Sequence, residues 1–393
     1  MQNKILILNG SHSEIPLIHA AKKLDLHVIT TGNTPDLIGH NYVDEYYSAD
    51  FSNIDAILEL SKKLKIDFIC SNANDFGAIT ASYVAEKMGL PGHHDSYETT
   101  KIIHHKDLYR QFALKYGISS PVAMGFTDIK DALSNIESLS FPLVIKPVDL
   151  TGGKGISTIQ NIEQAKAALK KAFSTSPAKR IVVEEFIAGS HHGFSAFLRN
   201  GHIVFFFSDN EHYFKNPYLV SAASTPSIVS STIEKKLCLE SEKIANLLSL
   251  KTGIFHVQYI LRKEEPVIIE ICRRAPGDLY VKLVEHATGV LYSDWIVKAS
   301  AGLNCNGLSH AKPKGFFTRH CVMSAMHGRI KNIIYDSSIK KNIIEKLMWW
   351  KKGDYISDVM TSKFGIIFLK FESMEEMLTK TERMQELIYV EVE

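Results

Sequence analysis

The chain has 393 residues, of which 45% are hydrophobic and 22% are charged, as in typical globular proteins. This length exceeds one ordinary hydrophobic core, so we expect two or three domains. The net charge is only +2 and the basic residues are dispersed, which gives no electrostatic indication of nucleic-acid or membrane binding. The five cysteines show no C-x-x-C spacing, which argues against a zinc site and a disulfide scaffold.

The first residues, MQNKILILNG, lack the apolar stretch and cleavage site of a signal peptide and lead directly into a predicted strand. No window of the sequence approaches the apolar length that a membrane span needs. Together with the scattered cysteines, these features favour a cytoplasmic protein that binds neither membranes nor nucleic acids.

The N-terminal region alternates predicted strands and helices, beginning with apolar runs at Lys4–Leu8 and His27–Thr30. Continuous apolar strands that alternate with helices are typical of a parallel, doubly wound sheet. The turn at residues 9–12 does not read G-x-G-x-x-G, so it favours a pocket-lining turn over a dinucleotide site. Asn72, Asn74 and Asp75 follow another strand, and turn formation and ligand contact both remain open for them.

A glycine-rich loop follows the apolar run Leu143–Ile145 and its terminal lysine, Lys146. The loop, Thr151–Gly155, carries a second lysine, Lys154, and leads into a second predicted strand. Glycines let a backbone approach an anion closely and present its N–H groups. The pattern predicts a flap over phosphates, with an ordinary surface hairpin as the alternative.

The run Arg180–Ile187 predicts a strand that ends in two acids, Glu184 and Glu185, followed by Phe186. One interpretation is a hinge whose backbone reads a planar base while a carboxylate takes an amino or hydroxyl group. The alternative is a strand that runs out to solvent, where acidic residues are ordinary.

Two further predicted strands, Gly253–Leu261 and Pro266–Ile271, are separated by a charged turn. Antiparallel pairing would bring Gln258 and Glu270 together on one face. A buried carboxylate needs a partner, and a divalent cation or one of the arginines Arg273 and Arg274 could supply it. Arg274 precedes a Pro-Gly turn and is a candidate anion clamp.

The last part of the chain predicts an α+β domain to which no chemistry is assigned. We expect strands at Gly315–Met323 and Gly365–Leu369, with a helix near Lys340–Met348 between them. A final amphipathic helix is predicted over Phe371–Ile388, followed by a short terminal strand. The Trp349-Trp350 pair is interpreted as an apolar helix end.

Taken together, these features resemble the ATP-grasp enzymes, in the branch of carbamoyl-phosphate synthase, biotin carboxylase and the PurK and PurT ligases. The segments that carry the resemblance are Lys106–Arg110, Phe141–Pro147, Gly152–Gly155, Val183–Ile187, Gly253–Tyr259 and Glu270–Gly277. The resemblance implies a mixed α/β and α+β architecture. Its parts are a Rossmann-like domain (1–98), an ATP-grasp core of two α+β subdomains (99–305, with a lid at about 120–187) and a small α+β domain (306–393).

The resemblance also implies a site for ATP and Mg²⁺, with Mn²⁺ as an alternative metal. The implied nucleotide-binding residues are Lys106, Lys146, Gly152, Gly153, Gly155, Ser157, Glu184, Glu185, Phe186, Ile187 and His192. The implied metal ligands are Gln258 and Glu270, and the implied catalytic residues are Arg274, Lys146 and Lys154.

Three positions depart from the family pattern. Gln258 stands where the first metal-binding glutamate is common, and Cys272 stands where an asparagine is usual. A thiol is a poor Mg²⁺ ligand because it is soft. His191 and His192 replace the acid expected to bind the ribose.

The implied activity is ATP-dependent ligation of a small carboxylate to an amine through an acyl phosphate, with ADP and phosphate released and a homodimer expected. Three alternatives stay open. These are a bicarbonate-using carboxylase or carbamoyl-phosphate-type enzyme, a non-catalytic ATP-binding sensor, and an NAD-dependent oxidoreductase built on the first domain. The last has only the strand–helix alternation behind it, and a fold does not set a function.

Overall fold

A computed structural model describes residues 2–150 and 152–393 of the chain. Thr151, the first residue of the predicted glycine-rich loop, lies outside the described residues. Among the described helices, none is both long and apolar enough to cross a membrane.

The N-terminal domain is a four-stranded parallel sheet in the order β3-β2-β1-β4, which confirms the predicted Rossmann-like fold. Its side chains form apolar clusters on both faces of the sheet, which explains the unbroken apolar runs in its strands. Its elements are β1 (Lys4–Leu8), α1 (Ile15–Lys23), β2 (His27–Gly32), β3 (Glu45–Ser48), α2 (Ile54–Leu64), β4 (Phe68–Cys70) and α3 (Asp75–Met88).

The next unit is a smaller antiparallel sheet in the order β5-β8-β6-β7, which we call the lid. Strands β6 and β7 pair through Leu143↔Ile159, so the predicted hairpin is confirmed. Two helices, α4 (Tyr97–His104) and α5 (Lys106–Tyr116), connect the first domain to the lid. The lid elements are β5 (Ala123–Phe126), α6 (Ile129–Asn135), β6 (Leu143–Pro147), β7 (Ser157–Ile159), α7 (Ala165–Thr175) and β8 (Ile181–Glu185).

An eight-stranded antiparallel sheet forms the centre of the molecule, in the order β13-β12-β9-β10-β11-β14-β18-β16. It continues across the predicted boundary at 305/306, because β14 pairs with β11. Its elements up to residue 300 are β9 (Ser190–Arg199), β10 (His202–Tyr213), β11 (Val220–Thr225), α8 (Ser231–Leu247), β12 (Gly253–Arg262), β13 (Glu265–Cys272), α9 (Tyr280–Thr288) and α10 (Tyr292–Ser300).

The C-terminal region adds strands to this sheet and forms a small sheet of its own, β17-β15-β19. Its apolar side chains form a separate cluster. Its elements are β14 (Phe316–Val322), β15 (Gly328–Tyr335), α11 (Ser337–Lys340), β16 (Ile343–Met348), β17 (Tyr355–Ile356), β18 (Gly365–Phe371), α12 (Met374–Glu382), α13 (Met384–Leu387) and β19 (Ile388–Val392).

Two sequence predictions in this region are wrong. The segment predicted as a helix near Lys340–Met348 is mostly strand β16, which pairs with β18. Its exposure alternates every two residues, the period of a strand. The predicted final helix is interrupted at Arg383 and divides into α12 and α13. Trp349 follows β16, and its ring stacks on His12 of the first domain with 4.2 Å between centroids.

Candidate active site

A cavity of about 710 Å³ is lined by residues from the N-terminal domain, the lid and the central sheet. This volume is typical of a site for a cofactor or small substrate. The first domain contributes Ser13 and Ala73, the lid contributes residues on both sides of its loop, and β14 contributes Arg319. The cavity therefore depends on segments that are far apart in the sequence.

Beneath the lid, the Glu184 carboxylate is 3% exposed and is held by two cations. Arg110 Nε donates to Glu184 Oε2 at 2.9 Å, and Lys146 Nζ pairs with Oε1. Burial alone would raise the pKa of Glu184, but Arg110 and Lys146 outweigh it and hold that pKa below its usual range. Burial, partly offset by Glu184, lowers the pKa of Lys146. Both lysine and acid line the cavity, as the sequence predicts.

The residues after Glu184 form one edge of the same cavity. Phe186 is 44% exposed whereas Ile187 is buried, so the two side chains offer an apolar surface on which a planar base can lie. The Phe186 backbone N–H donates to Pro142 O at 3.0 Å. Glu185 accepts a hydrogen bond from Val122 N at 3.1 Å, which fixes the strand end and leaves the hinge interpretation as a prediction.

The glycine-rich loop reaches the cavity through Gly152 and Gly153. Both have positive φ, 68° and 74°, and a Cβ on Gly153 would lie 2.8 Å from the Tyr218 Cβ. Glycine is therefore required here for its conformation and for close packing.

Three other predicted lid residues do not line this cavity, and their assignment to the nucleotide stays a prediction. Lys154 is exposed, and Gly155 packs with Pro147 and Thr175 behind the loop. Ser157 does not line the cavity, whereas its neighbour Thr158 does. The Thr158 hydroxyl lies 2.6 Å from the Tyr218 hydroxyl. Alternate residues of a strand point to opposite faces, so the sequence placed the right strand in the wrong register.

The same alternation separates His192 from the cavity, so its predicted nucleotide contact stays a prediction. Its neighbour His191 lines the cavity, whereas the His192 ring stacks on Tyr259 with 5.4 Å between centroids. His192 Nε2 lies 2.7 Å from Ser190 Oγ. Burial lowers the pKa of His192 to about 4, so the side chain is a neutral part of the opposite sheet face.

Lys106, the first residue of α5, connects the lid to the central sheet. Its Nζ lies 2.9 Å from Glu270 Oε1 and donates to Leu150 O at 3.1 Å. Burial lowers the pKa of Lys106, but Glu270 and Asp75 outweigh it and raise that pKa above its usual range. Lys106 is therefore a fixed positive charge beside the predicted metal position.

The predicted pairing of Gln258 with Glu270 is confirmed by the register of β12 and β13. Gln258 Nε2 also donates to Glu211 Oε1 at 2.6 Å, from a strand on the far side of β9. Glu211 lines the cavity and also accepts from the Tyr213 hydroxyl at 2.7 Å. Glu211 is a residue that sequence reasoning missed.

The donor set on this sheet face fits Mg²⁺. Glu270, Gln258 and Glu211 bring side-chain oxygens to one region of the cavity, and Mg²⁺ prefers oxygen ligands. Glu211 supplies a carboxylate beside the position where Gln258 departs from the family pattern. Cys272 is buried and its thiol is directed to Asp75, 3.8 Å away, so it does not complete this set.

Arg274 is anchored to the N-terminal domain by Asp75. Its Nε and Nη2 both lie 2.9 Å from Asp75 Oδ1, and His104 Nδ1 lies 3.0 Å from the same oxygen. Burial would raise the pKa of Asp75, but Arg274 and His104 hold it well below its usual range. Asp75, His104 and Cys272 have the spacing of a metal-ligand cluster, but Arg274 already supplies the positive charge. Asp75 thus positions Arg274 at the cavity wall.

Sequence reasoning also missed a group of polar residues at the cavity wall, namely Asp209, Asp278, Tyr280, Arg319 and Lys363. Asp209 lies in β10, which extends to Tyr213. The alternation of Asp209, Glu211 and Tyr213 was the available signal, because these residues share one face of a strand. Burial and the Glu211 carboxylate raise the pKa of Asp209 to about 7.

The chain is similar to known proteins in both its sequence and its fold. Residues 104–215 match the model of the phosphoribosylglycinamide synthetase ATP-grasp (A) domain. The full chain superposes on the L-amino acid ligase from Bacillus licheniformis with a TM-score of 0.82, at 17% identity and covering 100% of both chains. The match confirms the predicted resemblance for residues 104–215, which are similar to an ATP-grasp domain, and the superposition shows that the full chain shares the fold of that ligase.

One further sequence relative and one further solved structure are similar to the chain. The chain is 24% identical over 295 residues to the phosphoribosylamine–glycine ligase of Methanococcus maripaludis, covering 68% of this chain and 66% of that protein. The 2-oxoglutarate carboxylase biotin carboxylase domain of Hydrogenobacter thermophilus, in complex with MgADP and bicarbonate, has a TM-score of 0.78 at 16% identity, with coverages of 100% and 91%. The chain spans about two thirds or less of the length of the curated relatives it matches.

Proposed function

We propose that the protein is an ATP-dependent carboxylate–amine ligase that forms an amide through an acyl phosphate. The observation that carries this proposal is the convergence of Lys106, Lys146, Glu270 and Arg274 on one cavity. These residues come from three separate segments, and they place three cations and one acid around a space large enough for a nucleotide and a substrate. The names of the relatives, which include ligases that use amino compounds, support the same reaction type.

The proposed reaction has two steps. An oxygen of the substrate carboxylate attacks the γ-phosphorus of ATP, and the bond to the β–γ bridging oxygen breaks to release ADP. The amine nitrogen then attacks the acyl carbon, the bond from carbon to the phosphate oxygen breaks, and the amine loses a proton. The products are the amide, ADP and phosphate.

The residues of the chain contribute position and charge, which dominate phosphoryl transfer. Lys106 and Lys146 bind the phosphates, and Gly152 and Gly153 cover them and exclude water that would hydrolyse an acyl phosphate. Arg274, held in place by Asp75, stabilises the transferring phosphoryl group. Mg²⁺, bound by Glu270, Gln258 and Glu211, would neutralise phosphate charge as it moves.

Two rival functions make different predictions. A bicarbonate-using enzyme would release ADP in proportion to bicarbonate and without an organic acid. A non-catalytic ATP sensor would bind ATP tightly without depending on Mg²⁺. The sensor hypothesis rests on Gln258 and Cys272, but the Glu211 carboxylate beside Gln258 supplies an acid that the sequence pattern lacked.

The test is to incubate the full-length protein with MgATP and pools of carboxylates and amines, and to measure ADP and phosphate. We expect one combination to raise ADP release well above background, and Lys146→Ala to abolish the increase. Lys170→Ala, which removes an exposed lysine of α7, is the matched control. The ligase proposal is wrong if no pool raises ADP release or if only bicarbonate does.

A further inference from the structure

One part of the cavity wall carries charged residues that have no role in the proposed nucleotide site. It consists of Asp209 on β10, Arg319 on β14, and Asp278, Tyr280 and Lys363 around them. Two of its buried polar atoms, Asp209 Oδ2 and Arg319 Nε, have no hydrogen-bond partner among the described residues. Unpartnered buried polar atoms are costly, so a ligand that pairs with both would recover that free energy.

Asp209 carries a buried carboxylate whose two oxygens differ in their hydrogen bonding. Its side chain is buried, and Oδ1 accepts a hydrogen bond from the Tyr280 hydroxyl, an uncharged donor. Oδ2, the second carboxylate oxygen, is the one without a partner in the described part of the chain. Gly193 on the adjacent strand leaves room for the carboxylate, because a Cβ there would lie 2.4 Å from Asp209 Oδ1. An ammonium group would satisfy this carboxylate by charge and by hydrogen bonding.

Arg319 and Lys363 form the opposite case, because two cations share one acid. Arg319 Nη1 lies 3.5 Å and Lys363 Nζ lies 2.5 Å from the same Asp278 oxygen, Oδ2. Arg319 is 2% exposed, so solvent water screens its charge only weakly. Counted together, Arg319, Lys363 and Asp278 carry a net charge of about +1, and the fork of donors on arginine suits a carboxylate.

We propose that this part of the cavity binds a zwitterionic amino acid as one of the two substrates. Its ammonium group lies on Asp209, and its carboxylate lies on Arg319 with Lys363 nearby. The proposal rests on the ligase function proposed above and names the class of one substrate. A simple carboxylic acid would leave Asp209 Oδ2 without a partner, and a simple amine would leave Arg319 Nε without one, so both would bind more weakly.

The experiment measures binding to the full-length protein by calorimetry in the presence of ADP and Mg²⁺. Each common amino acid is compared with propionate and ethylamine, which are alanine without its amino group and without its carboxyl group. We expect at least one amino acid to bind at least about 10-fold more tightly than either monofunctional analogue, because it gains one charge-assisted hydrogen bond. The inference is overturned if the analogues bind as tightly as the best amino acid.

Variants locate the binding site. Asp209→Asn and Arg319→Met are each expected to lower amino acid affinity about 10- to 100-fold and to leave the affinity for MgATP unchanged. Glu375→Gln, an exposed acid on α12, should change neither affinity. If both site variants bind the amino acid as the wild type does, the assigned location is wrong. The comparison of amino acids with their analogues uses wild-type protein, so it decides the proposal even if a variant does not fold.

The two proposals fail in different ways. If ADP release responds to monofunctional acids and amines but amino acids do not bind preferentially, the ligase function stands and the amino acid inference falls. If amino acids bind at Asp209 and Arg319 but no pool raises ADP release, the binding site stands and the ligase function falls.

Discussion

Buried charges are paired differently in two parts of the cavity. We call these the nucleotide part, around Glu184 and Lys146, and the amino acid part, around Asp209 and Arg319. Under the lid, Glu184 has both carboxylate oxygens engaged by Arg110 and Lys146. At the other part, Asp209 and Arg319 each keep a buried polar atom without a partner in the described residues. Removal of one partner from a fully paired buried charge destabilises the folded protein, whereas a buried polar atom without a partner can be satisfied by a ligand. Removal of Arg110 in the first part should therefore lower folding stability, whereas substitutions of Asp209 and Arg319 in the second part should change binding.

The largest expected effect is that of Arg110→Leu on stability. Arg110 holds Glu184 and also donates to Ile269 O at 2.8 Å, so its removal leaves a buried carboxylate with one cation and a carbonyl with one donor fewer. We expect the free energy of unfolding to fall by about 3–5 kcal/mol, measured by urea denaturation. Gln111→Leu introduces the same residue at an exposed position of α5 and should have little effect. Equal midpoints for the two variants would contradict the distinction drawn between the two parts.

The second prediction concerns Asp75→Asn, which should cost about 3 kcal/mol at pH 7 because Arg274 loses its buried counter-charge. The folded-state pKa of Asp75 lies below its usual value, so its contribution is present above about pH 4 and is lost as pH falls further. The stabilities of the wild type and the variant should therefore converge below pH 4. Asp36→Asn, at an exposed position, should show no difference at either pH. A gap that stays constant from pH 7 to pH 3 would exclude this role.

The third prediction is a binding effect in the nucleotide part. Lys146→Ala should weaken MgATP binding about 10- to 100-fold, the contribution of one charge-assisted hydrogen bond of about 1.5–3 kcal/mol. Because Arg110 still pairs with Glu184, the variant should remain folded. Calorimetry on the variant and on Lys170→Ala would measure the difference. Unchanged MgATP affinity in Lys146→Ala would remove Lys146 from the phosphate site.

The features that sequence reasoning predicted are those carried by single strands and their nearest neighbours. The hairpin around Lys146 and the register of Gln258 with Glu270 follow from strand patterns and a short turn. Asp209 and Arg319 could not be placed together, because their strands are joined only through β11, a strand that the sequence analysis did not predict. The C-terminal region had no assigned chemistry, yet it supplies both cations of the amino acid part.

A second difference between sequence and structure concerns which of two adjacent strand residues lines the cavity. His192 and Ser157 lie in strands that were predicted correctly, but their side chains point away from the cavity while those of His191 and Thr158 point towards it. Because successive residues face opposite sides of a sheet, a motif aligned one position out reverses the assignment completely. Only the pairing with a neighbouring strand fixes this parity, and a single sequence does not contain it.

The smallest expected effect is that of Lys154→Ala, and it sharpens the comparison within the lid itself. Lys154 is exposed in this structure, whereas Lys146 is buried against Glu184. An exposed cation contributes about 1 kcal/mol or less, so MgATP affinity should fall by no more than about 5-fold, and less at high salt. Calorimetry on Lys154→Ala beside Lys146→Ala, at two salt concentrations, would measure this. A loss equal to that of Lys146→Ala would mean that the loop folds down onto bound nucleotide, because only burial of Lys154 against phosphate could raise its contribution so far.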